Sequence, residues 1–496
     1  MDEFKEQFKK DFEASSNVEL NFDVTQLEAN TKKTKHKIHP AKMRLAITFS
    51  IIFVIIAVPA GALFISSLRT KESVKSYNRR YSLNEIRIAE SNTFKKLNNV
   101  TYPNDTIPDV NRINEEEIFA YNNFSNLTYH SLLDTSKAIN MSYSPIGLYS
   151  VMNEMEGAIS NNELKEKYNT LLGLDEYNRV NFYDKVIKAN SFATVEATTQ
   201  IKNAAFFNNK FNYNQEFVNK LSKLYCEAYQ LNFSSEGDKM VEWVNEAVNS
   251  NGYIDQKFLE MDEETQLYLF STLYFKNAWS KKYLAESNMI DDFYLSNGET
   301  IKTTYMSHSY LSNGYYDYGT YISFKDYYYN GYASVTYLVP KKVEDDIFTL
   351  TKDVNIFMEK EENYIKHDGY GYFNINLKTP KFNSKSEIDF EKCLNNLGFG
   401  EIFDKKVDSF KNAFDDEKLT DYNIYIQKIK QKNETEFNED GSIVKSLTMA
   451  SFGASGGAAP MRNDTLDVKL NQPFIYIIRD INGTPIFVGH VDNPTN

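Results

Sequence analysis

From Leu45 to Leu68 the chain reads LAITFSIIFVIIAVPAGALFISSL, 24 residues without a charged side chain. About 20 apolar helical residues cross a hydrocarbon core about 30 Å thick, so this run is expected to span a bilayer as one helix. The alternative is the apolar part of a cleaved leader, with Pro59, Gly61 and Ala62 as the small-residue cleavage pattern. Such a part is usually about 7–15 residues long. This run is longer and has 44 residues ahead of it, which favours an uncleaved anchor. Lys32 to Arg44 carries six Lys/Arg and no acid, against Arg69, Lys71, Lys75, Arg79 and Arg80 with Glu72 on the other side. The excess favours a cytoplasmic N-terminus and a C-terminal part outside the cell.

The chain is therefore expected to divide into a polar tail (1–44), the span (45–68), a juxtamembrane linker (69–111) and one large domain (112–496). MDEFKEQFKKDFEA can form a short amphipathic helix, and a second helix is expected over Ser82–Leu97. Of the net charge of −13, residues 1–44 contribute +1 and 45–111 contribute +3, leaving −17 on 112–496. A domain this acidic does not fit nucleic acid, whose phosphates demand clustered Lys/Arg. Within it, NNELKEKYNTLLGL and NQEFVNKLSKLYCEAY have helical spacing. QLYLFSTLYF, YASVTYLVP, NIYIQKIKQK and FIYIIRD are short, aromatic or β-branched and bounded by turns, as strands are. FIYIIRD–INGT–PIFVGHV reads as a hairpin turning at Asn482-Gly483. Helices early and strands late give an α+β fold with a largely antiparallel sheet system.

Catalytic patterns are missing. There is no GxSxG elbow and no GxxxxGK[ST] loop, and Gly453–Gly457 (GASGG) lacks the Lys-Ser/Thr a phosphate cradle needs. His130, His308, His367 and His490 sit in no motif and read as packed or surface residues. Cys226 and Cys393 are too few for a disulfide framework or a cysteine-rich zinc site, and both read as buried, in helix-like apolar surroundings. No catalytic residue, metal ligand or cofactor site is assigned.

Several segments follow the order and spacing of one family. NMSYSPIGLYSVM (Asn140–Met152), WVNEAVNSNGYI (Trp243–Ile254) and LFSTLYFKNAW (Leu269–Trp279) resemble elements of the serpins, the serine-protease-inhibitor fold. So do IYIQKIKQKNETEFNEDG (Ile424–Gly441) and LDVKLNQPFIYIIRDINGTPIFVGHVDNP near the C-terminus. The resemblance covers roughly 112–496. It implies about nine helices on three β-sheets, an exposed reactive loop before the C-terminal hairpin, and Trp279 at the top of the central sheet. It also implies a monomeric suicide substrate for a serine-type, or alternatively cysteine-type, endopeptidase, acting by loop cleavage and insertion without cofactor.

The departures define the candidate site. In the hinge that starts at Gly441, the residues Ser442, Val444, Ser446 and Thr448 are small or β-branched and share one face, and Ile443, Lys445 and Leu447 share the other. Only one set faces the sheet interior, because side chains alternate along a strand. Lys445 would then face solvent, so the hinge is compatible with insertion although it is not the alanine-rich run usual in the family. The family's sheet-opening asparagine and histidine are replaced by Ser271 and Gln431. In its S-P-x-S element, Ser144 is kept and the second serine is Gly147. Counting forward from Gly441 places the scissile bond at Ser455-Gly456, while counting back from DVKLNQPF places it at Arg462-Asn463. The first respects the length of strand that must insert and is favoured; Met461 and Arg462 remain the alternative. A non-inhibitory protein of the same fold, cleaved without trapping, is the competing function.

Overall fold

The computed structural model describes residues 93–110, 113–135, 140–262, 264–367, 371–415, 422–442 and 464–495, together with Leu83, Ile86, Ile88, Ala89 and Ser91. The expected bilayer span, the N-terminal amphipathic helix, Val444–Thr448 of the hinge, and all five scissile-bond candidates (Ser455, Gly456, Met461, Arg462, Asn463) lie outside these residues. Among the described residues no helix is long and apolar enough to cross a membrane.

Nine α-helices and three sheets make up the described part. The helices are α1 (Glu115–Thr135), α2 (Pro145–Glu156), α3 (Asn162–Leu172), α4 (Glu176–Ala189), α5 (Gln215–Lys223), α6 (Phe233–Ala247), α7 (Gln256–Leu259), α8 (Ile347–Thr351) and α9 (Glu391–Asn396). Their ends follow local chemistry. Ser144 caps α2 through a hydrogen bond from the Gly147 amide, with Pro145 at the first helical position. Asn161 caps α3, which ends at Gly173 in the left-handed region (φ 74°).

The largest sheet has eight strands. Seven run in the order β1 (Lys95–Lys96), β5 (Cys226–Leu231), β4 (Ala197–Asn208), β6 (Leu267–Ala278), β16 (Gly441–Ser442), β15 (Lys430–Asn438) and β14 (Phe382–Asp389), and β3 (Ser191–Ala193) pairs with β4. A seven-stranded sheet runs β12 (Tyr364–Lys366), β9 (Gly314–Asp317), β10 (Tyr321–Tyr327), β11 (Ala333–Pro340), β18 (Phe474–Asp480), β19 (Pro485–Val491) and β2 (Asn140–Tyr143). The smallest runs β17 (Asp464–Lys469), β13 (Phe373–Pro380), β8 (Thr300–Ser312) and β7 (Met289–Tyr294).

Two expectations are corrected. Among the described residues of Ser82–Leu97, where a helix was expected, none is helical, and Lys95 and Lys96 form a strand that pairs antiparallel with Gln230 and Tyr229. The amphipathic run Asn214–Tyr229 holds as a helix only to Lys223. Tyr225 then takes a positive φ of 55°, and Cys226 opens β5 instead of continuing the helix. β5 is buried along almost its whole length, and burial outweighs local helix propensity there.

Tyrosine explains how so aromatic a chain packs. Tyr121, Tyr129, Tyr143, Tyr149, Tyr168 and Tyr183 are all fully buried. Where their hydroxyls find acceptors they tie elements together: Tyr121 donates to the Pro485 carbonyl at 2.7 Å and Tyr143 to Thr128 Oγ1 at 2.9 Å. The β18–β19 hairpin turns at Asn482-Gly483 as expected, with Gly483 at φ 82°. Every residue of β18 is buried, including Arg479 and Asp480.

Burial pushes the Asp480 carboxyl from 3.8 up to about 6, against hydrogen bonds from Asn190, Asn482 and Thr484 that favour the ionised form. The folded chain therefore holds this proton to higher pH than the unfolded chain does. Its contribution to stability is complete at low pH, declines as pH rises from 3.8 to about 6, and levels off above that. Asp480→Asn is expected to remove a decline of at most about 3 kcal/mol, read as the difference between the two proteins' unfolding free energies across this pH range. Parallel pH profiles would contradict the assignment.

Candidate functional site

Strands β6 and β15 are neighbours in the large sheet, yet among the described residues they are joined only through the two residues of β16. Gly441 and Ser442 pair antiparallel with Ala278 and Asn277 on one side and with Asn438 and Phe437 on the other. Below this junction β6 keeps its full ladder to β4, and β15 keeps its ladder to β14. Among the described residues no ladder joins β6 to β15. A cavity of about 1210 Å³ lies between them, lined on one wall by Leu267–Phe275 and on the other by Gln427–Glu436.

The top is held by aromatic packing. Trp279, where β6 ends, stacks on Tyr328 with ring centroids 4.7 Å apart and donates Nε1–H to the Asn438 carbonyl at 2.8 Å. The Tyr328 hydroxyl lies 2.6 Å from Ser442 Oγ, and Ser442 is buried. Gly441 has φ 153°, and a Cβ there would come within 2.1 Å of the Asn277 carbonyl oxygen. Only glycine lets the chain turn out of β15 and start down the cavity at this point.

Midway down, the inward face of β15 is polar. Gln431 Oε1 accepts from the Ser144 amide at 2.7 Å, and its Nε2 donates to the Ser144 carbonyl at 3.0 Å. Asn433 donates to the Ser142 carbonyl at 3.0 Å and to Gln431 Oε1 at 2.9 Å. Thr435 and Ser142 share a hydroxyl hydrogen bond of 2.7 Å. Three residues at strand spacing thus bind β15 to the junction of β2 and α2, where Ser144 also donates to the Ile486 carbonyl at 2.9 Å. Sequence reasoning missed Asn433 and Thr435. Their signal was the run of polar residues at every second position of the strand, Gln431, Asn433 and Thr435.

Ser271 lines the opposite wall, while the hydrogen bonds of Gln431 go to Ser144 and Asn433. The change at Gly147 is explained at the same spot. A Cβ on residue 147 would sit 2.7 Å from Gln431 Nε2, which its hydrogen bonds hold in place. Glycine on α2 and glutamine on β15 are a matched pair.

At the base, the connector from α6 to β6 crosses to β15. Tyr253 donates its hydroxyl to the Lys432 carbonyl, and Lys432 Nζ returns a bond to the Tyr253 carbonyl at 2.6 Å. Glu260 accepts from Lys428 and Lys430, and these two bonds hold its carboxyl down to about 2. Elsewhere His308 is buried, with Nδ1 2.9 Å from the Lys281 carbonyl and Nε2 3.0 Å from Asp326, in the packed setting expected of it.

Among the described residues the central sheet is thus closed at its top and open along two facing strands. A sequence model described as "Serpin (serine protease inhibitor)" matches residues 119–494. Serpin-Z4 of Hordeum vulgare is 29% identical over 245 residues, which cover 47% of this chain and 57% of the barley protein. Neuroserpin of Homo sapiens is 25% identical over 385 residues, covering 74% of this chain and 89% of that protein. The native-state crystal structure of tengpin, a thermophilic serpin, superposes with a TM-score of 0.63 at 22% identity, covering 78% of this chain and 97% of tengpin. The chain belongs to the serpin family, whose members are generally protease inhibitors.

If residues 147 and 431 are matched, Gly147→Ser should force Gln431 off Ser144 and cost about 1–2 kcal/mol, the worth of one or two hydrogen bonds left unmade. Adding Gln431→Ala should recover part of that cost. A double-mutant cycle by denaturant unfolding measures the coupling, and strict additivity would show the two positions to be independent.

Proposed function

We propose that this serpin inhibits a serine-type endopeptidase, with a cysteine-type enzyme as the alternative target, by acting as a suicide substrate. The target's nucleophile attacks a carbonyl between Gly441 and Gln472, releasing the new N-terminus and leaving an acyl-enzyme bond to the upstream fragment. That fragment then enters between β6 and β15 as a strand and carries the enzyme with it before water can complete hydrolysis. Unpaired strand edges gain a full set of backbone hydrogen bonds, which drives the step.

The observation that carries this reading is the register at which β16 begins. Continuing it residue for residue brings Thr448 opposite Ser271 on one wall and Gln431 on the other. Because Ser442 is buried against Tyr328, alternation would turn Val444, Ser446 and Thr448 to the same inward face and leave Lys445 outside. The first residue of β6, Leu267, would be reached at Phe452. A scissile bond at Ser455-Gly456 then lies just beyond the strand that fits, whereas Arg462-Asn463 leaves a much longer overhang. Cleavage without trapping is the second reading, and it draws on Gln431, whose hydrogen bonds stay on its own side of the cavity.

Mixing the chain with trypsin-, elastase- and subtilisin-type proteases should give an SDS-stable covalent adduct with at least one. The released C-terminal peptide should begin at Gly456 by mass spectrometry, and nicking of the loop should raise the melting temperature. Clean cleavage by all three with no adduct and an unchanged melting temperature would exclude the mechanism.

The run Leu45–Leu68 is proposed to display the domain on the outer face of a membrane. Protease added to intact cells should then remove the domain. Protection until lysis would reverse the orientation.

A further inference from the structure

The family match begins at residue 119, but ordered contacts begin well before it. Thr93–Asp109 runs along the outer edge of the large sheet and under α6. Phe94 is buried, stacks on Tyr229 with ring centroids 5.2 Å apart, and packs in one apolar cluster with Phe206, Met240 and Trp243. Lys96 pairs with Glu227 at 2.9 Å. The Asn98 side chain makes three hydrogen bonds, accepting from the Ala228 amide at 2.8 Å and donating to the Cys226 carbonyl at 2.9 Å and to Ser222 at 2.8 Å. Tyr102 donates its hydroxyl to the Tyr225 carbonyl and accepts from the Asn203 amide at 2.9 Å. Further bonds reach α6 itself: Glu236 accepts from Thr93 at 2.6 Å and from Ser91, and Lys239 donates to the Ala89 carbonyl at 2.6 Å.

Helix α6 is thereby held from two sides. Its C-terminal end and the connector beyond it (Val244, Val248, Tyr253, Ile254) line the cavity, and the connector is fastened to β15 through Tyr253 and Lys432. A strand moving down the cavity must undo that fastening and shift the connector. The contacts of Ala89, Ser91, Thr93 and Phe94 with Lys239, Glu236, Met240 and Trp243 resist any accompanying shift of α6 from the far side.

We infer that the segment up to Tyr102 is a clamp on α6 that sets how fast the sheet can take up a strand: Ala89, Ser91, Thr93 and Phe94 grip the helix, and Asn98 and Tyr102 anchor the segment on α5, β5 and β4. Side chains with no part in the cavity thus govern its opening, and trimming or loosening this segment releases it. The inference about rate rests on the strand-insertion reading above, whereas the inference that the segment holds α6 does not.

Hydrogen–deuterium exchange on the full chain tests the mechanical part. Phe94→Ala empties part of the packed cluster, and Asn98→Ala removes three hydrogen bonds without opening the core. In both variants, peptides from 233–247 should exchange at least about tenfold faster while peptides from 474–480 keep wild-type protection. Wild-type protection of α6 in both variants overturns the clamp. So does an equal rise across β18 in both, which would mean general loosening.

The kinetic part is read as the time taken, on warming, for the loop-nicked chain to convert to its high-melting form. Both variants should shorten it about tenfold, since the lost contacts must already be broken in the transition state. Faster α6 exchange with no conversion in any protein, wild type included, supports the clamp and counts against insertion. Faster exchange with conversion at the wild-type rate overturns the kinetic claim.

Discussion

The large sheet is shaped by one unmet demand: β6 and β15 lie side by side, and the backbone edges they turn toward each other are not joined in a ladder. Buried amides and carbonyls need partners, so such an arrangement persists only if other contacts hold the two strands in place. Those contacts occur at three levels. Trp279, Tyr328 and Ser442 close the top; Gln431, Asn433 and Thr435 tie β15 back to β2 and α2; Tyr253 and Glu260 reach across the base. Each level is bonded to a different neighbour, so loss of one leaves the other two acting.

Much of this was legible in the sequence because it depends on residues with few substitutes. Gly441 is required by a left-handed φ beside a carbonyl, and Trp279 by the area of its ring together with one N–H donor. The hairpin at Asn482-Gly483 follows from turn chemistry alone. What could not be read were consequences of long-range pairing. The departures at Gly147 and Gln431 looked like two separate losses, and only their 2.7 Å approach reveals them as one exchange. Cys226 was assigned to a helix because the residues around it have helical spacing, and Lys95–Lys96 fell within a second expected helix. Pairing decided both: Lys95 and Lys96 meet Gln230 and Tyr229 from far along the chain, and Cys226 pairs with Asn203 of the neighbouring strand.

The acidity of residues 112–496 also gains meaning from the structure. Many acids there answer particular lysines, as Glu260 does Lys428 and Lys430, and Glu227 does Lys96. These partly exposed pairs add little stability each. They instead distribute charge along the connector and the sheet edge. Salt screening is felt most at such contacts.

Ser442 carries a consequence for how this loop can change over evolutionary time. In the proposed insertion it is the first buried side chain of the entering strand, and it acts like the start of a reading frame with a period of two. An odd number of residues gained or lost just after it would swap Val444, Ser446 and Thr448 for the set containing Lys445 and drive a lysine toward the core. An even number keeps the frame, and any number is tolerated once the paired stretch has ended. Length variation in this loop is therefore expected to accumulate toward Asp464, among residues that never have to match the sheet.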